Sequence, residues 1–125
     1  MIHPEKIVLV IDDDVDFQTI LKVSLNQSGF KVRSLLDGRL AGTLNEKPFP
    51  DIILLDIDLP HSNGVAVGKE LKANADTKDI PVIMVSANPF VDELCKEAGA
   101  NDYVQKPFTL KTLIQKVEER LSAVS

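Results

Sequence analysis

An α/β fold, with a five-stranded parallel sheet carrying helices on both faces, is what three features of the sequence predict. Short β-branched runs and amphipathic stretches alternate along all 125 residues, each pair closed by Gly, Pro or Asp. The runs at 7–11, 52–55 and 82–85 lack polar alternation, as strands covered on both faces do. These runs also stop abruptly at a polar residue, where a parallel strand would meet solvent at its carboxyl end.

Each element has its own signals. Residues 6–11 form the first strand and break off at Asp12-Asp13-Asp14. Phe17, Ile20, Leu21, Ser24, Leu25 and Ser28 then fall on one helical face, with Asp14 as N-cap and Gly29 just past the end. Residues 31–35 read as the second strand, and Asp37-Gly38 turns into a short second helix with Leu40 and Leu44 one turn apart. Pro48-Phe49-Pro50 breaks the chain before the central strand at 51–55, which ends at Asp56. Asn63-Gly64 opens a third helix carrying Val67 and Leu71; Gly68 weakens it by about 1 kcal/mol relative to Ala unless close packing needs a small residue. Pro81 starts the fourth strand, ending at Ser86. Val91, Leu94, Cys95 and Ala98 then give a fourth helix its apolar face, closed by Gly99. Residues 103–105 make a short fifth strand reaching Lys106. Thr109 caps a fifth helix with Leu110, Leu113, Ile114, Val117 and Leu121 at helical spacing. No linker, repeat or low-complexity stretch interrupts the series, so residues 1–125 are expected to form one domain.

Composition narrows the function classes. With 44% hydrophobic and 26% charged residues the chain can bury a core without disulfides. The single cysteine, Cys95, sits on an apolar helical face, and no Cys/His spacing suggests zinc. His3 and His61 are expected to be exposed and offer no triad or metal pair. A reducing, cytoplasmic setting fits. No apolar run approaches the roughly 20 residues of a membrane span, and residues 1–5 lack the pattern of a secretory leader. The net charge of −5 and scattered Lys and Arg argue against direct nucleic-acid binding. Neither a Walker nor a Rossmann glycine loop is present.

Parallel strands joined by right-handed crossovers would bring Asp12, Asp13, Asp56, Asp58, Ser86 and Lys106 to one edge of the sheet, where open α/β sheets bind ligands. Four carboxylates with one lysine imply a hard divalent cation, and magnesium suits an oxygen donor set shared with a phosphate. The remaining groups suit a phosphoryl group: Lys106 as a point charge, Ser86 as a hydroxyl donor and a carboxylate as nucleophile.

These residues resemble a known family. Val10-Ile11-Asp12-Asp13, Leu54-Leu55-Asp56-Ile57-Asp58-Leu59-Pro60, Asn63-Gly64, Pro81-Val82-Ile83-Met84-Val85-Ser86-Ala87 and Tyr103-Val104-Gln105-Lys106-Pro107-Phe108 together look like a response-regulator receiver domain, the CheY-like phosphoacceptor module of two-component signalling. The resemblance covers essentially the whole chain and implies a flavodoxin-like fold with strand order 2-1-3-4-5. It implies that Asp56 accepts a phosphoryl group from a sensor histidine kinase or histidine phosphotransfer protein. Asp13 would ligate Mg2+ directly, Asp12 mostly through water, and the main-chain carbonyl of Asp58 would join Asp56 as a further ligand. Lys106 would pair with the acceptor, Ser86 would hydrogen-bond the new phosphoryl group, and Tyr103 would swing inward behind it. The surface of the fourth helix, fifth strand and fifth helix would then change its partner, an output domain, another protein or a second copy of the chain. Lys106-Pro107 resembles the family's cis peptide.

Two features depart from the common pattern: Asp58 puts a carboxylate two residues after the acceptor, and His61-Ser62 replaces a small or apolar pair. The extra charge of Asp58 either tightens the metal site or repels the phosphoryl group. Asp14 reads more simply as a helix cap than as a functional residue. Two other readings stay open. Asp56-Ile57-Asp58 also resembles the nucleophile motif of haloacid-dehalogenase phosphatases, although the acidic pair lies upstream and no cap domain fits. A receiver-shaped binding scaffold that is never phosphorylated is the third reading.

Overall fold

The computed structural model describes residues 6–37, 48–59 and 63–124. Five strands, β1 (Ile7–Ile11), β2 (Lys31–Leu35), β3 (Ile52–Asp56), β4 (Val82–Ser86) and β5 (Asp102–Gln105), form one parallel sheet in the order 2-1-3-4-5. Four helices lie among the described residues: α1 (Val15–Gln27), α2 (Gly64–Ala73), α3 (Val91–Ala98) and α4 (Leu110–Val124). The second predicted helix, with Leu40 and Leu44, lies outside the described residues, as do His3, His61 and Ser62. The third, fourth and fifth predicted helices are therefore α2, α3 and α4.

The apolar runs are central strands because both sheet faces are covered. Cβ atoms alternate along a strand, so Val8, Val10, Ile52, Leu54, Ile83 and Val85 meet Leu21 and Leu25 of α1 and Leu113, Val117 and Leu121 of α4. Their neighbours Leu9, Ile11, Ile53, Leu55 and Met84 meet Val67 and Leu71 of α2 and Cys95 and Ala98 of α3. Burial of each such Leu, Ile or Val contributes roughly 1.5–3 kcal/mol. Strand positions are thus committed to one helix pair or the other.

The helix ends follow the residues named above. Asp14 accepts the Phe17 N–H at 3.0 Å, Asn63 accepts from Val65 and Ala66, and the Thr109 hydroxyl accepts the Thr112 N–H at 3.1 Å. Gly29 and Gly99 close α1 and α3 with φ of 94° and 77°, conformations that favour glycine. A Cβ on Gly68 would lie 3.0 Å from the Ala98 Cβ, so close packing of α2 on α3 accounts for the missing side chain.

The predicted face of α1 needs one correction. Ile20 is 54% exposed, and Gln18 is buried in its place. The Gln18 amide reaches the carbonyls of Val10, Asp12 and Leu35 at 3.0–3.2 Å, joining the ends of β1 and β2 to the helix. A buried polar side chain is tolerated where its donors are used.

Candidate functional site

All five strands point their carboxyl ends the same way, and the sheet's hydrogen-bond ladder continues one residue past three of them. Asp12 N–H donates to the Leu35 carbonyl, Ile57 N–H to Val85 and Lys106 N–H to Ser86, at 2.8–3.0 Å. The side chains that leave this rim are Asp12 and Asp13 beyond β1, Asp56 at the end of β3, Ser86 at the end of β4 and Lys106 beyond β5. Asp12, Asp13, Asp56 and Lys106 open on a cleft of about 470 Å³ that also takes in Asp14 and Asp58, with Phe17, Pro107 and Phe108 as its apolar wall. Ser86 is fully buried and meets the cleft through Asp58. Phe17 and Phe108 meet edge to face, ring centroids 6.0 Å apart, and Lys106-Pro107 is cis.

Carboxylate oxygens of Asp12, Asp13 and Asp56 all lie within 4.8 Å of one another. Asp12 and Asp56 are each 4% exposed, whereas Asp13 is open to solvent. Burial raises the Asp12 carboxyl to about 6, and the nearby charges of Asp56 and Asp13 push the same way, against the Asp14 N–H at 2.9 Å and the charge of Lys106. Lys106 donates to Asp56 Oδ2 at 3.2 Å, while the Asp58 N–H donates to Asp56 Oδ1 at 2.8 Å. Burial alone would lower the Lys106 ammonium, but the charge and hydrogen bond of Asp56, then the charges of Asp58 and Asp12, outweigh it and raise it above the usual lysine value. Three clustered carboxylates, two of them buried, form an all-oxygen donor set that fits a small hard cation. One lysine leaves them under-neutralised.

A family model described as the response regulator receiver domain matches residues 8–118. The chain belongs to that family.

Related proteins include the transcriptional regulatory protein PrrA of Mycobacterium leprae, 41% identical over 116 residues, which cover 91% of this chain and 49% of PrrA. The chain spans about half the length of the curated relatives it matches. Among solved structures, a response regulator described as putative from Chloroflexus aurantiacus superposes with a TM-score of 0.86 at 30% identity, covering 96% of this chain and 99% of that one. The receiver domain of the sensor histidine kinase PA1611 from Pseudomonas aeruginosa, with a magnesium ion coordinated in its active site cleft, gives 0.83 at 29% identity, covering 94% and 98%.

Within this receiver fold, the residues singled out from the sequence divide into two groups. Asp12, Asp13, Asp56, Asp58, Ser86 and Lys106 come together at the rim. Tyr103 does not: it is 38% exposed on β5, with Lys116 Nζ 5.9 Å from its ring centroid. Lys116 also pairs with Asp102 at 3.0 Å, and Arg120 lies 3.8 Å from the same carboxylate, so the outer surface of α4 and β5 carries its own charge network.

Two features of the rim had no part in the residue-by-residue expectation. The Asp58 carboxylate accepts from the Ser86 hydroxyl at 2.7 Å and from the Ala87 N–H at 2.8 Å. Ala87 has no polar side chain to draw attention to it. Its contribution is a main-chain donor exposed where β4 ends, and only the turn position after Ser86 signals it.

Proposed function

We propose that this chain is a phosphoacceptor receiver in a two-component or phosphorelay system, with Asp56 as the acceptor. The observation that supports this most strongly is the buried Asp56 carboxylate, grouped with those of Asp12 and Asp13 and held by Lys106 at 3.2 Å. The Asp56 oxygen attacks the phosphorus of a phosphohistidine on a sensor kinase or phosphotransfer protein. An O–P bond forms as the N–P bond breaks, and the imidazole nitrogen keeps the electron pair and takes up a proton.

Asp12, Asp13, Asp56 and the main-chain carbonyl of Asp58 would hold Mg2+. When bound, the ion offsets the carboxylate charge and the charge on the phosphoryl oxygens. Lys106 orients Asp56 through its 3.2 Å hydrogen bond and then faces the transferred group. Ser86 supplies a hydroxyl to it, and Tyr103, now turned outward, is the side chain whose inward rotation would report the modification along α3, β5 and α4. That surface would engage an output domain, a separate protein or a second copy of the chain. Residues 1–125 act as one domain in this reading, and a cytoplasmic location accords with partnership with a kinase. No described helix is long and apolar enough to cross a membrane.

The phosphatase alternative gives way to the family assignment, and the Asp58 carboxylate it needs as acid and base is engaged by Ser86 and Ala87. Incubation with acetyl phosphate and MgCl2 is expected to give a retarded band on a Phos-tag gel. Asp56→Asn or EDTA is expected to abolish it. Failure of wild-type protein to shift with any small phosphodonor would leave the unphosphorylated scaffold as the better reading.

A further inference from the structure

Two groups expected to meet a phosphoryl group, Ser86 and Lys106, already face an anion, and that anion is part of the chain. Ser86 Oγ accepts the Asn88 N–H at 2.9 Å, so its own proton is available to Asp58, which it meets at 2.7 Å. Ala87 N–H donates to the other Asp58 oxygen at 2.8 Å, and Lys106 Nζ lies 3.7 Å from that same oxygen. A hydroxyl, a main-chain amide and an ammonium converging on acceptor oxygens form an anion-binding arrangement. The Asp58 main chain is simultaneously tied to Asp56 through the 2.8 Å bond from its N–H, which keeps its carboxylate beside the acceptor.

We propose that the Asp58 carboxylate is a resident competitor for the phosphoryl-binding donors, a positioning residue that must leave Ser86 and Ala87 before a phosphoryl group on Asp56 can use them. This rests on the reading of Asp56 as acceptor. Two negative groups cannot share one hydroxyl proton and one amide, and their mutual repulsion adds to the competition. Before labelling, Asp58 thus links the loop after β3 to the loop after β4. Labelling exchanges that link for one running through the phosphoryl group. The barrier to phosphorylation includes breaking two charge-assisted hydrogen bonds.

The test is the rate of labelling by acetyl phosphate with saturating MgCl2, followed on Phos-tag gels for wild type, Asp58→Asn, Asp58→Ala, Ser86→Ala and Asp58→Asn with Ser86→Ala. Asp58→Asn and Asp58→Ala are expected to label roughly tenfold faster than wild type, the scale of one charge-assisted hydrogen bond. Because Asp58 acts through Ser86, the gain from Asp58→Asn is expected to fall below about threefold in the Ser86→Ala background, a coupling that a general stability effect would not produce. Urea midpoints report folding of each variant, and at least one of the two Asp58 substitutions is needed folded. Equal or slower labelling of the folded variants, or the same gain with and without Ser86, overturns the inference and leaves the acceptor assignment standing. If neither wild type nor any Asp58 variant labels, both fall together.

Discussion

Asp12→Asn is expected to make the metal-free protein more stable and to cost it most of its response to magnesium. Asp12 is 4% exposed and faces the carboxylates of Asp13 and Asp56, so its charge is held under protest in the folded chain. The direction follows from the proton. Its folded value near 6, above the ordinary 3.8, means that the folded state binds the proton more tightly than the unfolded one. The penalty is therefore absent below about pH 4, grows between 4 and 6, and is complete above 6. A shift of this size corresponds to about 1–3 kcal/mol, or roughly 5–10 °C in Tm for a domain this long. Thermal melts in EDTA at pH 7.5 are expected to show the gain and melts at pH 4.5 to show little of it. In MgCl2 wild type should recover what it lacked, while the variant moves far less. A variant that melts at the wild-type temperature in EDTA, or keeps the full magnesium response, would mean that Asp12 is neither strained nor part of the ion's donor set.

Gly64→Ala is expected to be severe where Gly68→Ala is mild, although both lie on the buried side of α2. A Cβ on Gly64 would stand 2.3 Å from the Ile57 Cα and 2.5 Å from its Cβ. Main chain would have to move, and Ile57 is the residue between Asp56 and Asp58. Overpacking against backbone costs about 3 kcal/mol, and here the displacement reaches Asp56, the proposed acceptor, so labelling should fall with stability. At Gly68 the nearest atom is the Ala98 Cβ at 3.0 Å, a contact that a small shift of α3 relieves, and the roughly 1 kcal/mol gained in helix propensity offsets much of it. Urea titrations of the two variants give the comparison directly. A Gly64→Ala midpoint close to that of Gly68→Ala would show that the loop after β3 yields without disturbing the rim.

The fold was legible because its signals are local and mutually consistent. Apolar runs without alternation announced central strands, and Asp14, Gly29, Gly99 and Thr109 marked helix ends by chemistry that acts within a turn. Ile20 shows where the reading fails: helical spacing put it on the buried face, but position on a wheel does not reveal that the Gln18 amide nitrogen can reach three carbonyls and take the inner place. The rim residues were legible because Asp12, Asp56, Ser86 and Lys106 each stand at a strand's end or one residue past it. The Asp58 side chain was not, since its choice between solvent and Ser86 depends on how far apart two loops lie, a distance that no spacing in the chain encodes. Tyr103 was found as a residue but not as a rotamer, because a short outer strand leaves the hydroxyl a choice between cleft and water.

The continuation of the sheet's ladder into Asp12, Ile57 and Lys106 bears on how the domain moves. These three residues at the rim are anchored to the sheet's own hydrogen-bond ladder, and local opening there would begin to unzip the sheet. Motion is consequently left to side chains and to the turns beyond the last rung. If Asp56 takes up a phosphoryl group as proposed, its effect has to spread sideways from loop to loop, over a platform tied together by the ladder.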